Sequence, residues 1–174
     1  MRSPVDAPTQ AKASEDCLLV VWGDAPPADE TFDRANDAVA GGAISCATGT
    51  SPTRFEETLR ELRAAARSGD RAALVRELEI PMIYIDGEGR RRSLTSPRMV
   101  DAASREVFTE DVLEVIRRLD LSEMTVVPGE GAFFELGSVW LVVPEPGARP
   151  RLLTINRQAM LEAAAAARET LPVP

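Results

Sequence analysis

Residues 53–94 read TRFEETLRELRAAARSGDRAALVRELEIPMIYIDGEGRRRSL, and the punctuation inside this stretch decides the fold. Thr53-Arg54-Phe55-Glu56 fits a capping box, with the hydroxyl accepting a backbone N–H and Glu56 reaching back. Phe55, Leu59 and Leu62 recur at helical spacing, so a first helix starts near Thr53 and buries that stripe. Ser68-Gly69-Asp70 ends it and caps a second helical segment, whose buried side is Leu74, Val75 and Leu78. Pro81 stops helical continuation. Met82-Ile83-Tyr84-Ile85-Asp86 then reads as a strand: period two puts Met82, Tyr84 and Asp86 on one face and Ile83 and Ile85 on the other. Gly87-Glu88-Gly89 turns the chain, and Arg91 to Leu94 returns as a more polar strand.

Downstream, Ser96-Pro97 is an N-cap followed by proline at the first helical position. Val100, Ala103 and Val107 form the inner face of that helix. Thr109 caps the next one, with Glu110 and Asp111 in its first turn, where the helix dipole favours them. Val112, Val115, Ile116 and Leu119 are its core contacts. Thr125–Val127, Ala132–Leu136 and Ser138–Val143 are short apolar runs separated by glycine turns, hence strands. Leu136-Gly137-Ser138 reads as a tight hairpin. Glu135 alternates with Phe134 and Leu136 and faces away from their packing surface. Arg151 to Ile155 makes a last strand. Met160 to Thr170 is alanine-rich and helix-prone, packing on the outside through Met160, Leu161 and Ala164.

Upstream, residues 1–16 are small and polar, with Pro4 and Pro8, and read as a disordered tail. Residues 17–52 form an N-terminal extension that carries both cysteines. Within it, Cys17–Trp22 is either a strand or a segment docked on the main body, and a short helix is expected at Thr31–Val39. Residues 157–174 are a C-terminal helix and tail. The expected class is therefore α+β: helices packed on a curved, mainly antiparallel sheet.

Composition closes several chemistries. The chain of 174 residues contains no histidine, and Lys12 is its single lysine. Without histidine, Ser-His-Asp and Cys-His catalysis and His-Glu-x-x-His zinc sites are excluded. The lone lysine argues against Schiff-base chemistry and excludes a Gly-Lys-Ser/Thr phosphate loop. Gly87-Glu88-Gly89 is too short for a dinucleotide fingerprint, so no cofactor is expected. The net charge of −8 repels phosphate backbones, so nucleic acid is not an expected partner. Arg90-Arg91-Arg92 is the one compact basic cluster, read as a solvated turn. No stretch approaches the roughly 20 apolar residues of a membrane span.

Cys17 and Cys46 are the only cysteines, and neither has another soft ligand nearby, so no metal is expected. The preferred reading is a disulfide, which places the protein in an oxidising compartment, periplasmic or secreted. The alternative is two unrelated thiols in a cytoplasmic protein. Met1-Arg2-Ser3-Pro4 has no apolar run behind it; an exported protein would then be the mature form with a replaced start.

From Thr53 to about Ile155 the chain resembles the nuclear transport factor 2-like superfamily. The resemblance rests on the paired helices split by Ser68-Gly69-Asp70, the strand Pro81–Asp86 with its glycine turn, and the helix after Ser96-Pro97. Val107-Phe108-Thr109 leading into another helix and the hairpins around Gly131 and Gly137, with Trp140, complete it. It implies a domain over residues 53–156 in which helices wrap a curved sheet to form a cone with a pocket. It also implies enzymes, ketosteroid isomerases and polyketide cyclases, and proteins that dimerise through the sheet. Here the enzymes' usual histidine is missing. Asp86 as base and Tyr84 as oxyanion donor are the catalytic candidates; as ordinary structure, Asp86 only holds its glycine turn and Tyr84 packs at the rim. Tyr84, Asp86, Phe108 and Trp140 are the expected ligand-binding residues. Three functions follow: a non-catalytic accessory or small-molecule-binding domain with an apolar pocket, an Asp86/Tyr84 isomerase- or cyclase-like enzyme, or a homodimeric interaction module.

Overall fold

The computed structural model describes residues 17–172; the tail up to Asp16, read above from composition, lies outside them. Helix α1 (Cys17–Asp24) is followed by α2 (Glu30–Asn36), the short strands β1 (Ala38–Val39) and β2 (Gly42–Ala43), and α3 (Ile44–Thr48). Then come α4 (Pro52–Ser68), α5 (Arg71–Arg76), β3 (Leu78–Ile85), β4 (Arg91–Leu94), α6 (Pro97–Val107) and α7 (Glu110–Arg117). Strands β5 (Thr125–Val127), β6 (Gly131–Phe134), β7 (Val139–Val142) and β8 (Arg151–Asn156) precede α8 (Arg157–Glu169). The fold is α+β, as expected. Its main sheet is mixed, in the order β4-β3-β8-β7-β6-β5. Every neighbour is antiparallel except β3 and β8, which run parallel.

One face of the sheet carries the core. Met82, Tyr84, Leu141, Leu152 and Ile155 point there and are buried with Phe55, Leu59 and Leu62 of α4 and with α6 and α7. Each fully buried α4 side chain contributes roughly 1.5–3 kcal/mol of apolar burial, which fixes the helix more firmly than its intrinsic propensity. The opposite face is half-buried: Ile83, Phe133 and Trp140 lie on it, with Phe133 and Trp140 ring centroids 4.9 Å apart.

Several local expectations need correction. Of the two readings of Cys17–Trp22 the strand fails: the segment is the body of helix α1, with Leu18 and Val21 buried. The cap of α4 is Ser51, whose hydroxyl accepts from the Arg54 N–H at 3.3 Å, with Pro52 in the first turn. Thr53 is thereby freed for another bond described below, and Glu56 pairs with Arg63 instead of reaching back. Leu78 opens β3, and the strand runs on through Pro81. It does so where the β3–β8 register shifts between Leu78 and Ile83, so the missing proline N–H breaks no regular ladder. Asp86 lies past the end of that strand. Glu135 and Leu136 have left β6 and form a 3-10 turn with Gly137, both at positive φ (44° and 56°), and Leu136 is 70% exposed. Strand alternation therefore does not govern Glu135. Helix α8 packs through Ala159 and Met160, while Leu161 and Ala164 are exposed. The cap boundaries at Gly69, Asp70 and Ser96 stand as read: Asp70 accepts from the Ala73 N–H and Ser96 from the Met99 N–H.

The N-terminal extension is cross-linked within itself and docked on the body. Cys17 and Cys46 are bonded, joining α1 to α3 with Cα atoms 5.2 Å apart. The Val126 N–H donates to the Ala40 carbonyl at 2.9 Å, which seats the β1–β2 hairpin on the edge of β5. Gly41 there has φ 90°, and a Cβ would stand 2.1 Å from the Val126 carbonyl oxygen, so no other residue fits.

Candidate functional site

The glycine turn after β3 takes hold of Asp86. Its carboxylate accepts the Glu88 and Arg90 N–H groups, both at 3.0 Å, and the Arg90 guanidinium at 2.7 Å. The Arg90 N–H above all lowers its pKa below the ordinary carboxylate value, against a smaller opposing effect of desolvation. A carboxylate committed to three donors and held ionised is a weak proton acceptor.

Tyr84 points into the core from the middle of β3 and is almost wholly buried. Its hydroxyl lies 3.5 Å from the Glu106 carbonyl oxygen, and the Arg92 guanidinium sits 5.8 Å from its ring centroid. Arg157, at the start of α8, reaches the same end of the sheet. It donates to Asp111 at 2.9 Å and is held protonated first by that bond, with a further contribution from Tyr84. Burial would raise the Asp111 pKa, but the Thr109 hydroxyl and Arg157 outweigh it and hold the group below its ordinary value. Thr109 occupies the N-cap position of α7 without capping it, because its hydroxyl is turned to Asp111.

The expected ligand residues are thus dispersed. Tyr84 and Phe108 are buried on the core side, Asp86 sits in an exposed turn, and Trp140 lies on the opposite face of the sheet beside Phe133. The interior on the core side of the sheet is occupied by Phe55, Met82, Tyr84, Phe108, Ile116 and Met124, all fully buried.

Open concave space lies instead between α7, the 135–137 turn and α8. A groove of about 680 Å³ runs there, with an apolar floor of Val115, Leu136, Met160 and Leu161 and an ionic rim that includes Asp111 and Arg118. Leu136 projects into it from a backbone conformation that non-glycine residues seldom adopt. Such local strain persists only where the surrounding structure enforces it, and it collects at ligand-binding positions.

Two charged residues that tie elements of the fold together were not singled out from the sequence. Asp33 is fully buried and accepts from Trp22 Nε1 at 2.7 Å, the Thr53 N–H at 2.8 Å and the Thr53 hydroxyl at 2.5 Å. Arg157 is the other. Asp33 lies in a small, acidic stretch with no periodicity to mark it. Arg157 follows Asn156, whose side chain accepts the Ala159 N–H; that asparagine cap was the one signal available for where α8 begins. Among the described residues no group of three or more acidic or cysteine ligands is placed to hold a metal, and no helix is long and apolar enough to cross a membrane.

No family model, curated protein or solved structure matches this chain.

Proposed function

We propose that this is a non-catalytic binding domain that works in an oxidising compartment, periplasmic or secreted, and takes an apolar small molecule in the groove between α7 and α8. The carrying observation is the contrast between a filled interior and an open apolar groove. Aromatic and methionine side chains fill the interior on the core side of the sheet, which leaves no room there for a substrate. Asp86 and Tyr84 support an enzyme poorly, since one is tied into a turn as a low-pKa carboxylate and the other is sealed in the core. The Cys17–Cys46 bond supports the compartment.

The order of elements, with two helices before a hairpin, two after it and a returning strand laid beside β3, supports the resemblance to the nuclear transport factor 2-like superfamily. Thermal-shift screening with steroids, aromatic polyketides and fatty acids tests the binding reading. A hit should raise the melting temperature of the wild type and not of Leu136→Asp, an exposed position whose change spares the core. No stabilisation by any class would defeat it.

A second reading, a homodimer through the outer face of the sheet, is favoured by the half-buried Phe133–Trp140 pair with Ile83 alongside. Light scattering across concentration separates the two: a monomer throughout would remove the dimer.

A further inference from the structure

The two edges of the main sheet are treated differently. At one end, β5 is backed by the extension, through the Ala40–Thr125 bridge and Gly41 pressed on Val126. At the other end, β4 pairs with β3 alone among the described residues. The Asp86 N–H donates to the Arg90 carbonyl, and the register continues as Tyr84 opposite Arg92 and Met82 opposite Leu94. Antiparallel ladders alternate, so the N–H and C=O groups of Arg92 and Leu94 face β3. Those of Arg91 and Ser93 face outward, a row of two donors and two acceptors with no partner among the described residues.

Beside this row lies a groove of about 550 Å³ between β4 and α6, with Leu94, Met99, Ala102 and Ala103 along it and Arg92 and Glu106 at one end. Met99 is 44% exposed there. The inner-face side chains of a strand added to β4 would drop into this groove. An edge backbone next to an apolar trough is the geometry by which sheets accept an extended peptide.

Charge selects the occupant. Arg92 is shared between Glu106 and the Tyr84 ring, and Arg90 is held by Asp86 and Glu88. Arg91 and Arg98 are exposed and have no ion-pair partner among the described residues. Two copies of β4 set side by side would bring arginine against arginine across about 5 Å, so the same side chains that attract an acidic strand reject a second copy.

We propose that the free edge of β4 binds an extended segment of another protein by strand addition, a segment alternating apolar residues that face α6 with acidic residues that face Arg91. This surface is separate from the α7–α8 groove, so the two readings stand or fall independently.

The test uses blocked seven-residue peptides with Glu at odd positions and Val, Leu, Ile or Phe at even ones, against matched peptides with Lys for Glu. Binding to the whole chain is read by fluorescence polarisation and by amide shifts. The expected result is binding of the acidic set alone, with shifts centred on residues 91–94. Methylating alternate peptide nitrogens on the ladder side should weaken it at least tenfold. Ser93→Pro, which deletes an outward N–H and no β3–β4 bond, should do the same, and Arg91→Glu should move the preference toward the lysine set. The proposal is overturned if no acidic peptide binds, if the lysine set binds equally well, or if N-methylation leaves the wild-type affinity unchanged. The last outcome needs no variant to fold.

Discussion

Asp33 is a buried carboxylate that joins three segments: Trp22 of α1 and both the amide and hydroxyl of Thr53 in α4 end on it. Asp33→Ala would leave these part-buried donors without an acceptor, and an unsatisfied donor costs roughly 1–3 kcal/mol when buried, less whatever water recovers. The expected loss is about 3 kcal/mol in urea unfolding, whereas an exposed neighbour such as Glu30→Ala should change it little. Asp86 makes a different prediction. Its folded pKa lies below the 3.8 of the unfolded chain. Its contribution to stability is therefore complete above about pH 5, and it is lost as the pH falls through the lower native value. Asp86→Asn should lower the urea midpoint at pH 7, with the difference from wild type closing in acid. A constant difference at all pH values would show that the turn is held by shape and not by charge.

Elements bounded by strong local punctuation were legible in the sequence. Gly69-Asp70 and Ser96-Pro97 fix helix ends because cap chemistry involves residues three or four apart, and those pairs form as expected. Misreadings arose where a tertiary partner decides. The apolar run of α1 has no helical period of its own, and the bond between Cys17 and Cys46 and the pocketing of Leu18 and Val21 make it a helix. Thr53 looked like a cap because Asp33, twenty residues upstream, was invisible as its acceptor. Leu136 looked like a strand residue because the left-handed turn that lifts it out leaves no trace except Gly137. The candidate site suffered most: Tyr84, Asp86, Phe108 and Trp140 share a plausible chemistry but not a place, since which sheet face is open is a property of the packed helices. Gly41 supplies the element-scale prediction. Gly41→Ala forces a Cβ onto the Val126 carbonyl at a strained φ, a cost of at least ~2 kcal/mol. It should free the β1–β2 hairpin from β5, seen as faster amide exchange at Val126 with the β3–β8 pairing intact.

At the scale of the whole molecule, the disulfide closes a loop with a sequence separation of 29, worth roughly 3–4 kcal/mol in the chain-entropy model. The double variant Cys17→Ser/Cys46→Ser should lose about that much unfolding free energy in urea titration, and dithiothreitol should then have no further effect on it. Native protein purified from its own compartment should show no titratable thiol after denaturation without reductant; two thiols would remove the argument for an oxidising location.

Strand β8 lies in the middle of the main sheet, between β3 and β7, yet it is the last strand in the chain. The seam joining the N-terminal hairpin to the C-terminal meander can form only after residue 156 is available. A chain emerging from a ribosome or threading through a translocon in sequence order therefore holds β3–β4 and β5–β7 as two half-sheets with bare facing edges until residues 151–156 appear. Assembly is late and all at once, and the interval before it is when the nascent protein most needs a chaperone.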